Sequence, residues 1–274
     1  MNANGLILPE GLVVAITGAA QGIGLGLARA FGSAGARLVI GDVQEGAAQA
    51  AAESLRGDGH QAVAVRADVT QADDNQAWVA AAVKHFGRLD VAICNAGISQ
   101  VKPFMDLDAD DWARMMAVNV TGTFLSLQAA ARQMKQQAPL APGRPRGKIL
   151  TLASVAGRNG AGPIAKVIAP YRASKAAVIS MTHSAAYTLA PDLTVNALCP
   201  GLVDTDMWAK MDKDWAPLLG LAEGEAFAQR VAAVPMGRAQ HPSDVAGLAM
   251  FLASPAADYL TGQAIHVDGG LLMQ

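Results

Sequence analysis

The sequence contains little charge, cysteine or histidine, and each shortage argues against a class of function. Charged residues make up 16% of the chain, and 21 Lys and Arg against 23 Asp and Glu leave a net charge of −2. Such a chain offers no basic field to attract nucleic acid or an anionic membrane. The five histidines form no cluster, so we predict no metal site. Cys94 and Cys199 lie in apolar segments without a CxxC partner, which predicts reduced, buried thiols in a cytoplasmic protein.

Long apolar runs are also missing, although apolar residues are abundant. No uninterrupted stretch reaches the length needed to span a membrane, and the N-terminal segment lacks the basic region of a signal peptide. Hydrophobic residues nevertheless form 52% of the 274 positions, which is ample material for a buried core. Because no shift in composition marks a linker, residues 1–274 are predicted to form one domain.

Short apolar runs alternate with helical patterns along the chain. The predicted strands cover residues 12–17, 37–42, 62–68, 89–97, 148–154, 193–201 and 264–270. The predicted helices cover residues 22–34, 45–56, 72–86, 108–117, 119–136 and 171–190. Strands that are almost wholly apolar are typical of a parallel sheet covered by helices. The alternation therefore predicts an α/β fold, a Rossmann-type doubly wound parallel sheet of seven strands with helices on both faces.

Two longer connections interrupt this alternation. Residues 139–147 form a loop rich in Pro and Gly, and residues 203–235 separate the sixth predicted strand from the seventh. The second segment is long enough for one or two helices. Because long connections in compact domains are often functional, we predict that residues 203–235 form a lid over a substrate.

A glycine-rich turn follows the first predicted strand and opens the first predicted helix. It runs from Thr17 to Gly24 (TGAAQGIG), with GxxxGxG spacing instead of GxGxxG. Glycines at such a turn allow the backbone to approach a pyrophosphate closely at a helix N-terminus. A purely structural turn is the alternative, and the position between a strand and a helix favours the dinucleotide site.

Polar residues end the next three predicted strands. Asp42 ends the second, where a carboxylate can accept hydrogen bonds from both adenine-ribose hydroxyls and repel a 2′-phosphate. We predict NAD in preference to NADP on this basis, with a helix N-cap as the alternative role of Asp42. Asp68 and Val69 end the third strand, and Asn95–Gly97 ends the fourth. Because carboxyl ends of adjacent parallel strands share one edge, these positions predict one ligand cleft.

Tyr171 and Lys175, in the run YRASK, lie four positions apart on a predicted helix. That spacing places the two side chains on one face, about one turn apart. A nearby ammonium stabilises a phenolate, so we predict that the pKa of Tyr171 is lowered toward neutral. Such a tyrosine can act as the general acid–base of alcohol or ketone chemistry. Taken alone, the pair is also compatible with an exposed helix face.

Together these segments resemble the short-chain dehydrogenase/reductase family over nearly the whole chain. Thr17–Gly24 matches TGxxxGxG, and Asn95–Gly97 matches NNAG except that Cys94 replaces the first Asn. Asp268–Gly270 matches the C-terminal DGG of the family. The residues that match its catalytic tetrad are Asn119, Ser154, Tyr171 and Lys175.

The resemblance implies an NAD-dependent oxidoreductase that interconverts a secondary alcohol and a ketone. Tyr171 would exchange a proton with the reacting oxygen, and Ser154 would position that oxygen. Lys175 would bind the nicotinamide ribose, and Asn119 would hold a water that links Lys175 to solvent. The implied cofactor-binding residues are Gly18, Gln21, Gly22, Ile23, Gly24, Asp42, Val43, Asp68, Val69, Asn95, Ala96, Gly97, Tyr171, Lys175, Pro200, Gly201, Val203 and Thr205.

Three details bear on specificity. Ser154 and Tyr171 lie 17 positions apart, a longer separation than is usual in the family, which indicates an insertion beside the substrate. Cys94 lies on the fourth predicted strand, where we expect only a packing effect. Gln21 and Val43 occupy positions at which NADP-preferring relatives carry a basic residue, which again favours NAD.

The predicted lid also suggests a substrate class. The run GLVDTDMWAKMD, from Gly201 onward, resembles that of sorbitol, galactitol and 2,3-butanediol dehydrogenases, which implies a polyol or vicinal diol. Hydroxysteroids and 3-hydroxyacyl thioesters are the alternatives. Met207 and Trp208 are predicted to form an apolar wall, or else only to pack the lid. Predicted polar contacts to the substrate come from Ser99, Gln100 and Asn159.

Two other functions compete with an alcohol oxidoreductase. A non-catalytic dinucleotide sensor would be expected to lack part of the tetrad, whereas this chain has all of it. A sugar-nucleotide epimerase or dehydratase would be longer and would carry TGxxGxxG. The many small residues of the predicted helix 171–190 indicate close helix packing, and the family resemblance implies a homotetramer built on such helices.

Overall fold

The computed structural model describes residues 8–158 and 163–273, and a parallel sheet organises them. Its strands are β1 Val13–Thr17, β2 Arg37–Asp42, β3 Gln61–Arg66, β4 Val91–Cys94, β5 Gly147–Leu152, β6 Leu193–Pro200 and β7 Ala264–Val267. They pair in parallel in the order β3-β2-β1-β4-β5-β6-β7. The predicted doubly wound sheet of seven strands is confirmed. Its order reverses between β1 and β4, the kind of position at which open α/β sheets bind ligands.

Helices connect most of these strands. They are α1 Gly22–Ser33, α2 Glu45–Gly57, α3 Ala72–Phe86, α4 Ala109–Met116, α5 Thr123–Lys135, α6 Ala169–Leu189, α7 Asp206–Trp215, α8 Glu225–Ala232 and α9 Pro242–Ala253. A π-helical turn, Ala117–Gly122, joins α4 to α5, and a short 3₁₀ turn, Pro163–Lys166, precedes α6. Within residues 8–158 and 163–273, no helix is both long enough and apolar enough to cross a membrane.

The strands bury side chains on both faces of the sheet. Along β1, Val14 and Ile16 pack with residues of α1, α2 and α9, whereas Val13 and Ala15 pack with residues of α3 and α5. All four side chains are buried. Successive residues of a strand point to opposite faces, so a strand covered by helices on both sides must be apolar throughout. This arrangement explains the continuous apolar runs of the sequence.

Several predicted boundaries were too long or were missed. The strand ladders of β4 and β5 stop at Cys94 and Leu152, so Asn95–Gly97 and Ser154 lie just beyond the sheet, at its carboxyl edge. Helix α6 begins at Ala169, two residues before Tyr171, with a proline in its first turn, where the missing N–H is tolerated. Helix α9 was not predicted at all, because its sequence (PSDVAGLAMFLA) is apolar nearly all round and shows no amphipathic stripe.

The two thiols are buried as predicted. Cys94 on β4 and Cys199 on β6 are free cysteines inside the sheet layer. Burial raises the pKa of the Cys94 thiol to about 12 and that of Cys199 to about 11. A thiol with so high a pKa stays protonated and behaves as a small apolar side chain. This agrees with a packing role for Cys94.

Candidate active site

A cavity of about 490 Å³ opens along the carboxyl edge of the sheet, across the switch point between β1 and β4. It is lined by most of the residues that the sequence predicts to bind a cofactor: Gly18, Gln21, Gly22, Ile23, Asp42, Val43, Asp68, Val69, Asn95, Ala96, Gly97, Tyr171, Lys175, Pro200, Gly201, Val203 and Thr205. Ser154 also lines it, whereas Gly24 and Asn119 lie behind its walls. We call this space the first cavity. The edge of the sheet therefore brings the predicted residues together.

The glycine-rich turn forms the floor of the first cavity. Gly18 has a φ of +62°, and a Cβ there would lie 2.8 Å from the Cα of Ala96. A Cβ on Gly24 would overlap the carbonyl oxygen of Gly18 and lie 2.6 Å from Nδ2 of Asn95. That Nδ2 donates to the carbonyl oxygens of Thr17 (2.9 Å) and Gly18 (2.8 Å), which fixes the turn against the end of β4. The backbone is thus open where a pyrophosphate would approach α1.

Asp42 stands at the end of β2, inside the first cavity. It is buried, with Oδ2 accepting from the amide of Ala20 (3.2 Å) and Oδ1 from the amide of Gln44 (3.1 Å). The N-cap of α2 is Gln44, so the alternative role of Asp42 as a helix cap does not apply. Among the described residues that line this cavity, Lys175 is the one with a basic side chain.

Asp68 lines the same edge of the first cavity, after the end of β3. Its Oδ1 accepts from the amide of Thr70 (3.0 Å) and from the hydroxyl of Thr70 (2.7 Å), which holds the loop after β3. The combination of a glycine cradle, a carboxylate at the end of β2 and a long cavity fits a dinucleotide.

Ser154, Tyr171 and Lys175 meet at the other end of the first cavity. Ser154 follows β5 and forms a side-chain hydrogen bond with Tyr171. Its Oγ also accepts from the amide of Ala156 (3.1 Å), which orients the hydroxyl. Lys175 lies one turn after Tyr171 on α6, with Nζ 5.6 Å from the centre of the tyrosine ring. The lysine Nζ donates to the carbonyl oxygen of Leu152 (2.7 Å). The insertion before Tyr171 therefore leaves the Ser154–Tyr171 contact intact.

Asn119 lies in the π-helical turn and is fully buried. Its side chain accepts from the amide of Ile98 (2.8 Å) and donates to the carbonyl oxygen of Ile98 (3.0 Å) and to Oγ of Ser174 (3.0 Å). A Cβ on Gly97 would lie 3.3 Å from Oδ1 of Asn119 and 3.5 Å from Nζ of Lys175. Asn119 thus ties the segment after β4 to α6, directly behind the lysine. Single π turns within α-helices are frequent at functional sites.

A second cavity, of about 320 Å³, adjoins the first. Ser154, Tyr171, Gly201, Met207 and Trp208 line both cavities. The predicted substrate residues Met207 and Trp208 therefore lie at the junction. In the described part of the chain, Ser99 lines neither cavity, and Asn159 lies outside the described residues.

Gln100, also predicted to contact substrate, is engaged elsewhere. Its Nε2 donates to Oδ1 of Asp111 (2.6 Å), and its Oε1 accepts from Arg114 (2.9 Å). These bonds hold the amide in a polar network at the start of α4, and Gln100 lines neither cavity in the described part of the chain. The prediction for Gln100 failed because the polarity of a side chain does not say which polar partner it has.

The chain is similar to proteins of one family over almost its whole length. Residues 18–272 match the family model described as enoyl-(acyl carrier protein) reductase. It is 38% identical to a diacetyl reductase [(S)-acetoin forming] of Staphylococcus epidermidis, over 94% of this chain and 97% of that protein. It is 39% identical to a sorbitol dehydrogenase of Cereibacter sphaeroides, over 95% and 97% of the two chains.

A solved structure agrees with these relatives. The crystal structure of a short-chain type dehydrogenase/reductase from Mycobacterium marinum superposes with a TM-score of 0.85 and 34% identity, covering 98% of each chain. The chain belongs to the short-chain dehydrogenase/reductase family. It is therefore an enzyme, an oxidoreductase of the type that uses NAD(H) or NADP(H) on a small-molecule substrate.

The electrostatics of this dehydrogenase/reductase differ from the sequence prediction in one respect. The pKa of Tyr171 is raised, because burial penalises the phenolate, although the hydrogen bond with Ser154 acts in the opposite direction. Burial also lowers the pKa of Lys175 to about 8. The prediction that Lys175 lowers the Tyr171 pKa toward neutral is thus wrong for this structure. The physical reason is the burial of the tyrosine, while the Lys175 ammonium binds the carbonyl oxygen of Leu152.

Sequence patterns missed most of the second cavity. Ile164 and Ile168, in the insertion before Tyr171, form a buried cluster with Met211 and Trp215 of α7. This described part of the insertion therefore packs against the segment predicted as a lid. Arg172 and Arg230 also line the second cavity, and neither was singled out. The position of Arg172 next to Tyr171 was a usable signal. Within residues 8–158 and 163–273, no group of three or more His, Cys, Asp or Glu side chains could hold a metal.

Proposed function

We propose that this enzyme interconverts a secondary alcohol and a ketone with NAD(H), and that Tyr171 transfers the proton. One observation carries the proposal: the hydrogen-bonded Ser154 and Tyr171 line the junction of two cavities. The first cavity has the features of a dinucleotide site, and the second has space for a small substrate. A substrate oxygen at this junction can reach both hydroxyls.

The cofactor is held by the carboxyl edge of the sheet. The turn from Gly18 to Gly24 receives the pyrophosphate, and Asp42 receives the adenine ribose. Asp68 and Val69 border the adenine, while Val203 and Thr205 border the carboxamide. A bound nicotinamide supplies the acceptor or donor of the hydride. The protein contributes its orientation and the proton partner.

The proton passes through Tyr171. In oxidation the tyrosine accepts the proton of the substrate hydroxyl, and in reduction it donates one to the carbonyl oxygen. Ser154 donates a hydrogen bond to the same oxygen and positions it. Lys175 binds the ribose of the nicotinamide half and supplies positive charge behind the tyrosine. Asn119 positions α6 and forms a relay with a water that links Lys175 to solvent.

NAD is the preferred cofactor, because the Asp42 carboxylate would repel a 2′-phosphate. The absence of a basic side chain near Asp42 among the described lining residues supports this preference. Steady-state kinetics with NAD⁺ and NADP⁺ test it. The Asp42→Ser variant should lose roughly tenfold or more of the NAD⁺ preference, because removing one charge costs on the order of 1 kcal/mol or more at a partly buried site. Equal use of the two cofactors by the unmodified enzyme would contradict the proposal.

A polyol or a vicinal diol is the first substrate class to test. By their names, the sorbitol dehydrogenase acts on a polyol, and the diacetyl reductase converts a vicinal diketone to the hydroxyketone (S)-acetoin. The second cavity has room for a small molecule, and residues 203–235 cover it as a lid through α7 and α8. Hydroxysteroids and 3-hydroxyacyl esters are the second class. A spectrophotometric screen of NADH formation at 340 nm across these four groups identifies the class. Absence of turnover with every alcohol in the screen would contradict the proposed interconversion of a secondary alcohol and a ketone.

The remaining proposals concern assembly and location. Residues 1–274 act as one domain, and α6 packs against a second copy in a homotetramer. The small side chains of α6, and the 91% exposed Tyr187 near its C-terminal end, support an uncovered helix face. Two free, buried thiols support the reducing cytoplasm as the location. Size-exclusion chromatography with light scattering tests the assembly, and a monomer would contradict it.

A further inference from the structure

Two arginines line the second cavity beside the catalytic hydroxyls. Arg172 follows Tyr171 on α6, and Arg230 lies on α8, across the lid segment. The described residues that line this cavity include no Asp and no Glu. Its other walls are largely apolar, with Ile164, Ile168 and Trp208 among them. The second cavity is therefore an apolar pocket with two positive charges.

Neither guanidinium has a partner within the described part of the chain. No hydrogen bond or ion pair joins the side chain of Arg172 or Arg230 to residues 8–158 or 163–273. Nε of Arg230 is buried without a hydrogen-bond acceptor. Burial also lowers the pKa of both arginines, which shows that the surroundings disfavour their charge. Both arginines are partly buried, and a partly buried charge without a partner is costly, so an anion that entered the cavity would be bound favourably.

Other arginines of the molecule are paired with carboxylates. Nη1 of Arg238 lies 2.6 Å from Asp244, and Nε of Arg144 lies 2.7 Å from Asp258. Both contacts are bidentate, with a second nitrogen of each guanidinium bonded to the other carboxylate oxygen. The planar guanidinium fork matches a carboxylate in this way. Arg172 and Arg230 carry the same guanidinium groups, but these groups line a cavity and do not pair with a carboxylate of the described residues.

We infer that Arg172 and Arg230 bind a carboxylate of the substrate while its secondary hydroxyl lies at Ser154 and Tyr171. The substrate class is a hydroxy acid, converted to the corresponding oxo acid, with an apolar body between the two functional groups. This inference rests on the proposed function and narrows it to anionic alcohols. The carboxylate itself takes no part in the reaction. A bound oxidised nicotinamide would accept the hydrogen of the alcohol carbon as hydride. The hydroxyl proton would go to Tyr171.

A binding experiment separates this inference from the proposed activity. Hexanoate and its uncharged isostere hexanamide are titrated into the full-length protein by calorimetry, with and without NADH. We expect hexanoate to bind at least tenfold more tightly than hexanamide, because hydrogen bonds to charged groups are among the strongest in proteins. Arg172→Met and Arg230→Met should each reduce hexanoate affinity roughly tenfold to a hundredfold. Arg29→Met, which removes an exposed arginine from α1, is the matched control and should bind hexanoate as the unmodified protein does.

Turnover supplies the second measurement. With 5-hydroxyhexanoate and 5-hydroxyhexanamide as substrates, the arginine variants should raise KM for the acid much more than for the amide. Arg230→Lys, which keeps the charge but not the planar fork, should fall between Arg230→Met and the unmodified enzyme. Thermal melting and NADH binding confirm that each variant is folded. Hexyl phosphate is included to distinguish a phosphate ester from a carboxylate.

The outcomes are distinct. Two results would overturn the inference: equal affinity for hexanoate and hexanamide, or unchanged hexanoate affinity in the Arg172→Met/Arg230→Met double variant. In either case, oxidation of neutral diols would still support the proposed function. Tighter binding of hexyl phosphate than of hexanoate would overturn the assignment to a carboxylate. Arginine-dependent binding of hexanoate without oxidation of any alcohol would support the anion site and refute the proposed function.

Discussion

The two cavities that meet at Ser154 and Tyr171 are built from different parts of the chain. The first is formed by backbone at the ends of neighbouring strands, including the turn from Gly18 to Gly24. The second is formed by side chains from the insertion before Tyr171 and from α7 and α8. The wall of the first cavity is fixed by the hydrogen-bond ladder of the sheet. The wall of the second cavity depends on packing between the insertion before Tyr171 and residues 203–235.

This difference separates a cavity wall that is set by the backbone from one that is set by side chains. The first cavity needs small residues and one carboxylate, because its ligand contacts main-chain groups. The second can change its charge and shape by substitution on α7, α8 or the insertion without disturbing the sheet. Arg230 lies on α8, and Arg172 lies on α6 next to Tyr171. We therefore expect substitutions in the first cavity to affect every substrate alike, and substitutions in the second to change preference.

The junction itself should show the largest effect. Tyr171→Phe removes the hydroxyl that exchanges the proton and leaves the ring in place. We expect kcat to fall by roughly 10²–10⁴-fold for every alcohol that the enzyme oxidises. The affinity for NADH, measured by fluorescence titration, should change little, since the phenyl ring still packs at the cavity wall. Full activity in this variant would refute the proposed role of Tyr171.

The glycine floor of the first cavity gives the next largest effect. In Gly24→Ala the new methyl group would overlap the carbonyl oxygen of Gly18 and press on Nδ2 of Asn95. We expect the free energy of unfolding to fall by about 2–3 kcal/mol, with weaker NADH binding. Gly46→Ala in α2 is the matched control, because its Cβ meets nothing within 4 Å and alanine favours helices. Urea denaturation of both variants measures the difference. Equal stabilities would contradict the claim that the turn requires glycine at position 24.

The sequence predicted the first cavity well for a physical reason. Gly18 and Gly24 are required by local backbone geometry, and local geometry leaves a pattern in neighbouring residues. The parallel sheet of seven strands was predicted from the local alternation of strands and helices. Helix α9 was not predicted, because a helix that is apolar nearly all round has no amphipathic period.

The second cavity could not be predicted in the same way. Ile164 meets Met211 across 47 positions of sequence, and no periodicity specifies such a contact. Arg230 lies on α8, whose sequence (EAFAQRVA) resembles that of an exposed helix with charged residues. The pKa of Tyr171 was mispredicted because burial is a collective property of many residues, whereas the Tyr171–Lys175 spacing is a local one.

A third prediction concerns the charge buried in the first cavity. The pKa of Lys175 is about 8 in the folded protein, against 10.5 for an unperturbed lysine. Between these values the unfolded chain binds more protons than the folded one, so the stability contributed by this group rises with pH. Without nucleotide, the unfolding free energy of the unmodified protein minus that of Lys175→Met should increase by about 2 kcal/mol from pH 7 to pH 9.5.

Urea denaturation at several pH values measures this difference. Lys84→Met, which removes an exposed lysine from α3, is the control, and its difference from the unmodified protein should stay nearly constant with pH. A difference for Lys175→Met that falls with rising pH would show that the ammonium is stabilised in the fold. In that case, of the charged groups discussed for the two cavities, only Arg172 and Arg230 would be destabilising.

The smallest expected effect distinguishes the two cavities most sharply. The Trp208 ring packs against Phe227 of α8 in a tilted arrangement with ring centres 5.2 Å apart, and Trp208 lines both cavities. Trp208→Ala should raise KM for the best substrate roughly tenfold, as expected for lost apolar contact in a substrate pocket. The Kd for NADH should change less than twofold. Leu218→Ala, at an exposed position of the same segment, controls for general loosening of the lid. Equal losses of substrate and NADH affinity would mean that α7 serves the cofactor as much as the substrate, and the two walls would then be one functional unit.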